Sequence, residues 1–238
     1  MTAPMFETFA ALLLAHVLAD FVLAGARAHR APGPFAGHVL LVFALSAAAL
    51  GGVWPLALLV ALAHMMIDLL VMVGLPARLR NGFAVFLADQ AAHLLVLVVA
   101  ALYMPEAARA GLWGAALAPV VVPALAVSGL ILTLSAGAEA VGRLTAPYAE
   151  EFRAQGLPRA GQMIGYLERG VIFLLLWIGQ PAGIGFLIAA KSLLRLEAAK
   201  EQRASEYVII GTLASFGWAL AMGSATLAVI EAAIAARL

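Results

Sequence analysis

Residues 56–73 read LALLVALAHMMIDLLVMV. This run of eighteen residues holds one imidazole, His64, and one carboxylate, Asp68, and is otherwise apolar. Its length approaches the roughly 20 apolar residues that carry an α-helix across a bilayer. As a helix it puts His64 and Asp68 one turn apart on the same face. The spacing recurs in His16-Val17-Leu18-Ala19-Asp20 and, in reverse order, in Asp89-Gln90-Ala91-Ala92-His93, each inside another apolar run. Ionisable groups at membrane depth are costly and turn toward a bundle interior or a functional site. Three such pairs make a shared intramembrane site the leading expectation.

Composition agrees with a membrane setting. Of 238 residues 65% are hydrophobic and 11% charged, where a soluble domain carries about 25% charged residues. The expected class is an all-α polytopic transmembrane helix bundle. The net charge of +1 leaves no nucleic-acid footprint. The absence of cysteine excludes disulfides, thiolate metal sites and a cysteine nucleophile. No polar stretch is long enough to hold a soluble core. Ala26-Arg27-Ala28 resembles a signal-peptide cleavage site, but the preceding segment carries Glu7 and no Lys or Arg, against the basic start such a peptide needs. Residues 1–28 therefore read as a retained first span.

In order, the spans are expected at about Pro4 to Gly25, Phe35 to Leu50, Leu56 to Val73, Phe83 to Met104, within Leu112 to Ala140, and Tyr207 to Ile230. Pro119 and Pro123 start or kink the fifth. The polar stretch 141–165 is expected as a surface loop or interfacial helix. Around Gly179-Gln180-Pro181, two short limbs within 166–195 read as a helical hairpin, re-entrant or of two thin spans. The expectation is thus about six full spans plus a hairpin in one integral membrane domain, 1–238. Residues 1–104 form its His/Asp half, 105–165 the fifth span and polar segment, and 166–238 the hairpin and last span.

Basic residues mark cytoplasmic loops. Arg27 and Arg30, Arg78 and Arg80, the 141–165 stretch and the Lys191 to Arg203 cluster alternate with nearly uncharged loops, which predicts an N-terminus outside. Spans 1 and 3 then descend to the cytoplasm and read His before Asp, while span 4 ascends and reads Asp before His. At 1.5 Å per residue, Asp20, Asp68 and Asp89 lie about 8–9 Å from the cytoplasmic helix ends, and His16, His64 and His93 about 14–15 Å. Two tiers result, with His38 placed to cap them from the start of span 2.

Carboxylates and imidazoles without sulfur suit Zn, Mn or Fe. His16, Asp20, His64, Asp68, Asp89 and His93 are the metal-ligand candidates, for one divalent ion or for two about 3.5–4 Å apart. Asp68, Asp89 and His38 are the catalytic candidates, with a carboxylate shuttling the proton. Arg169, Lys191 and Arg195 are candidates for binding an anionic head group beside the metal. Ser192 follows Lys191 but has no His or Asp partner at a spacing suited to nucleophilic catalysis. No P-loop, HExxH or dinucleotide fingerprint is present.

The pattern His16-x3-Asp20, His38, His64-x3-Asp68, Asp89-x3-His93 resembles a family of uncharacterised bacterial inner-membrane proteins, domain of unknown function 3307. Gly165-Tyr166-Leu167-Glu168-Arg169, Lys191-Ser192, Glu206-Tyr207 and Gly211-Thr212 carry the likeness into the C-terminal half. That resemblance implies a multi-pass protein of the bacterial cytoplasmic membrane and no established activity. Residues 10–95 also resemble, more loosely, membrane-bound metal-dependent hydrolases with HxxxD pairs.

Three functions remain open on the sequence. The first is an intramembrane metal-dependent hydrolase or transferase acting on a membrane lipid or other amphipathic ester or phosphoester. The second is a metal-ion or proton transporter or channel using the same cluster. The third is a non-catalytic assembly partner. A homo-oligomer is compatible with each. The plain alternative for the pairs is an interhelical polar network, whose bonds are worth about 1 kcal/mol each in membranes.

Overall fold

The computed structural model describes residues 2–23, 32–148, 160–196 and 202–238. The described residues form helices and contain no strand. In chain order they are α1 (Ala3–Leu18), continued by a π-helical turn Ala19–Leu23, α2 (Pro32–Ala49), α3 (Trp54–Gly74), α4 (Ala77–Arg80), α5 (Phe83–Tyr103) and α6 (Ala107–Ala110). A 3₁₀ segment Gly114–Val120 leads into α7 (Val121–Ile131), a π-helical turn Leu132–Ala136 and α8 (Gly137–Thr145). Then come α9 (Ala160–Trp177), α10 (Ala182–Leu196) and α11 (Gln202–Ala235).

Five of these stretches are long and apolar enough to cross a membrane: 3–23, 54–74, 83–103, 116–148 and 208–235. This is a polytopic membrane protein. The expected second span, at Phe35 to Leu50, is shorter than the others, an apolar helix over Phe35–Ala49. It stops because Gly51 and Gly52 take φ of 66° and 90°, where a side chain is strained. Their N–H groups return to Ala48 and Ala47 carbonyls and close the helix end. Of the stretch 141–165, expected as a surface loop or interfacial helix, 149–159 lie outside the described residues. Helix continues through Thr145 with a 3₁₀ turn to Tyr148, and α9 has begun by Ala160. Pro119 lies in the 3₁₀ segment and Pro123 in the first turn of α7, where a missing N–H costs nothing. The hairpin is present: α9 ends at Gly179, φ 69°, with Gly179 and Gln180 N–H groups bonded to Leu176 and Leu175 carbonyls.

The described chain divides into two compact units, 1–131 with 228–238, and 132–227. In the first, α1 packs against α2, α5 and α7, and α3 against α2 and α5. The apolar window of α1 is 67% buried against 28% for α3 and for α5, so α1 is the central helix. On α3, Ala57, Val60, Ala61 and His64 face inward while Leu59, Leu62, Met66, Leu70 and Val73 are exposed. Apolar side chains thus cover the outside and the polar pair is inside, as a lipid-facing helix requires.

The end of α1 remote from Asp20 is fastened to α6. Thr8 is fully buried; its hydroxyl donates to the Pro105 carbonyl at 2.8 Å and accepts the Ala108 N–H at 3.1 Å. The Arg109 guanidinium donates to both oxygens of buried Glu7, at 2.6 and 3.0 Å. Those bonds raise the Arg109 pKa above its ordinary value, so it stays charged. Gly111 lies against the α2–α3 turn, where a Cβ would meet the Leu50 carbonyl at 2.0 Å. The Leu112 N–H donates to Gly51 and the Trp113 indole to Ala48. These contacts fix the rotation of α1 and the end of α2, which carry three of the site's side chains.

In the second unit, α9 packs against α8, α10 and the π-helical turn. Ile172, Ile184, Phe216 and Ala219 form its apolar core.

Candidate metal centre

The first unit brings its polar residues together. His16 comes from α1, Asp20 from the π turn, His38 from α2, His64 and Asp68 from α3, Asp89 and His93 from α5. The four imidazoles are buried. His64 is at the middle, its ring 4.1 Å from His93, 5.1 Å from His38 and 5.6 Å from His16 between centroids. His16 and His93 stack at 5.2 Å. The expected convergence of α1, α3 and α5 is therefore present, but the tiers interleave. Asp20 does not stay with its own-helix partner, His16, which is 3.9 Å away. Its Oδ1 lies nearer His38 Nε2, at 3.4 Å, and His64 Nε2, at 3.6 Å. Residues 19–23 are wound as π-helix. Such turns redirect side chains and recur at functional positions.

Four ligand-type atoms stand closest: His38 Nε2, His64 Nε2, Asp20 Oδ1 and Asp68 Oδ2. The two imidazole nitrogens are 3.0 Å apart. Asp68 Oδ2 is 3.4 Å from His64 and 3.9 Å from His38. A tetrahedral ion with bonds near 2.0–2.1 Å separates its ligand atoms by about 3.3–3.5 Å. These separations bracket that value. Two carboxylates also balance one dication. His38, expected as a cap over the cluster, lies within the set, 3.0 Å from His64.

Asp68 turns its other oxygen to the neighbouring set, Oδ1 lying 3.6 Å from His93 Nε2. The Nδ1 of His93 is 2.9 Å from the Asp89 backbone carbonyl. A carbonyl only accepts, so Nδ1 carries the hydrogen and Nε2 presents a lone pair. This is how metal-bound histidines are commonly fixed. His93 Nε2 and Asp20 Oδ1 are both buried without a hydrogen-bond partner. The lone pairs of His93 Nε2 and Asp68 Oδ1, 3.6 Å apart, repel unless a cation lies between them.

Asp89 is the outlier. Its Oδ1 is 3.8 Å from His93 Nδ1, and its side chain is 19% exposed, about twice Asp20 or Asp68. The Gln90 amide donates to its Oδ2 at 3.1 Å. Gln90, within the Asp89-to-His93 stretch, was not singled out from the sequence, and this hydrogen bond gives it a use. Three subsets offer ligand atoms all within 4.8 Å of one another: His16, Asp20, His64; His38, His64, Asp68; and Asp68, Asp89, His93. Every expected metal candidate falls in one of them.

The head-group candidates fall in the second unit. Arg169 is buried on α9, and Lys191 on α10 is paired with Glu168. Arg195 is on α10, with its side chain outside the described residues. The Ser192 hydroxyl donates to the Ile188 carbonyl.

Residues 8–113 match the model of a family described as "Protein of unknown function (DUF3307)", and the matched region contains the whole His/Asp cluster. No curated protein and no solved structure matches the chain.

Proposed function

We propose that the first unit is an intramembrane metal centre of a hydrolase or transferase that cleaves a lipid-like ester or phosphoester. The observation that carries this is the close set of His38, His64, Asp20 and Asp68 atoms, with the lone pair of His93 facing Asp68. His38, His64 and Asp20 would hold a first divalent ion, Zn, Mn or Fe. Asp68 would bridge to a second place formed with His93 and Asp89, and His16 backs the set through its stack on His93. A dication held there supplies Lewis acidity and a water nucleophile near neutral pH.

The remaining work falls to the chain. Asp89 is the most accessible carboxylate and is oriented by Gln90. It accepts the proton of the attacking water and returns it to the leaving oxygen as the ester bond breaks, so the reaction consumes one water and yields an acid and an alcohol. Lipid-facing side chains on α3 and α5 let an amphipathic substrate approach from the bilayer. The alternating basic loops support a site near the cytoplasmic face of a bacterial inner membrane.

The test is hydrolysis of a panel of lipid acyl esters and phosphodiesters by purified protein. Activity is expected that needs added metal, is stopped by chelation and is lost in Asp89→Asn while the ion held by His38, His64 and Asp20 remains. Metal-loaded protein inert on the whole panel would contradict the enzyme reading. A second reading, cation or proton transport, rests on the continuity of the cluster, in which His16, Asp20, His38, His64, Asp68, His93 and Asp89 succeed one another within 4 Å. Flux into proteoliposomes that disappears in His64→Ala is the result it expects.

A further inference from the structure

We propose that the second unit contains an anion site built on Arg169, selective for a phosphate group of one negative charge. The site lies in a cavity of about 440 Å³ between α8, α9, α10 and α11, a size that holds a small ligand or a lipid head group. It does not rest on the metal centre.

Arg169 is 2% exposed. Nη1 donates to Ser215 Oγ at 3.1 Å and Nη2 to the Leu134 carbonyl at 3.0 Å, and the guanidinium lies 5.2 Å from the Tyr166 ring centre. These partners are all neutral. Nε is buried with no hydrogen-bond partner, and no carboxylate of the described residues lies within ion-pair distance of the guanidinium. Among the described residues this permanent charge has no carboxylate counter-ion in contact. The other charges among the cavity's described residues are Glu168 and Lys191, which pair with each other, so the described lining carries one uncompensated positive charge.

The chain also makes room at this point. A Cβ on Gly165 would lie 3.0 Å from Arg169 Nη1, so the guanidinium rests on bare backbone. Gly142 and Gly161 line the same cavity, and a Cβ at either meets nothing within 4 Å. The π turn Leu132–Ala136 supplies the Leu134 carbonyl to Arg169 and the Leu132 carbonyl to the Trp218 indole at 3.0 Å. With two N–H groups used on neutral acceptors, Arg169 keeps others for an anion. A planar fork with an ammonium nearby matches a phosphate better than a small halide.

The shared chemistry, phosphate, comes from a lipid head group or from free phosphate, and the experiment separates them. The full chain in neutral detergent is titrated with inorganic phosphate, with short-chain phosphatidylglycerol, and with phosphatidylcholine as the zwitterionic control. Binding is read by thermal shift and by native mass spectrometry. A response to inorganic phosphate identifies a free-anion site. A response to phosphatidylglycerol alone, with one lipid retained per chain, identifies a head-group site. Either is expected to weaken by about 10- to 100-fold in Arg169→Gln, less in Arg169→Lys. It also weakens in Gly142→Leu, which fills the cavity and leaves the Arg169 partners in place. No response to either probe, equal response to phosphatidylcholine, or full binding by Gly142→Leu overturns the proposal.

Discussion

Around His64 the first unit gathers four imidazoles and three carboxylates, whereas around Arg169 the second unit surrounds one guanidinium with a hydroxyl, a carbonyl and a phenol ring. Both are polar islands in a chain that is 65% hydrophobic, and they are incomplete in opposite senses. The first has imidazole and carboxylate lone pairs in excess. The second has N–H donors in excess among its described residues. A π-helical turn adjoins each, at Asp20 and at Leu134. Polar groups are expensive inside a membrane protein, and the least costly arrangement is one in which a ligand completes them.

The comparison breaks most easily at the first unit. Asp68→Ala removes the carboxylate shared by both halves of the cluster. It should weaken divalent-metal affinity by more than about 100-fold, beyond the loss seen for outer partners of metal ligands, with phosphate binding at Arg169 unchanged. Isothermal titration of chelated protein measures both. Acidification should act in the same direction. Imidazoles bind metal only through a free lone pair, so protons compete, and bound metal should fall as pH drops from about 7 to about 5. Elemental analysis after dialysis across that range reads the loss, and metal retained throughout would point away from histidine ligation.

Smaller effects test the scaffold. Gly111→Ala drives a methyl group into the Leu50 carbonyl and should cost about 3 kcal/mol of stability. It acts through the turn that holds α2, so metal affinity should fall with it, and thermal unfolding with and without Zn separates the two effects. Ser215→Ala should cost about 1 kcal/mol by taking an acceptor from Arg169. Metal content should not change, which sharpens the independence of the two sites.

Much of this was legible in the sequence because period and polarity carry it. The i,i+4 pairs His64/Asp68 and Asp89/His93 announce shared helix faces, and the apolar runs around them announce spans. The central place of His38 was not legible. A lone imidazole near a helix start gives no periodic signal, and its 3.0 Å approach to His64 depends on how α2 is rotated and where Gly51 ends it. The crossing of Asp20 to His38 depends on a π turn, one extra residue per turn that no apolar pattern records. Arg169 read as one of three head-group ligands, yet its neighbour Glu168 pairs with Lys191, and Arg169 donates to the neutral Ser215 hydroxyl and Leu134 carbonyl. The continuation of helix through Thr145 was hidden by Arg143, whose charge is met one turn back by Glu139 at 2.8 Å.

The account turns on a cation among Asp20, His38, His64, Asp68 and His93. Elemental analysis of the full chain, purified in detergent without chelator, tests it directly. About one to two equivalents of Zn, Mn or Fe per chain are predicted, with the amount falling sharply in Asp68→Ala. Folded protein that carries no such metal, and whose unfolding is unmoved by added ions or by chelator, would contradict it.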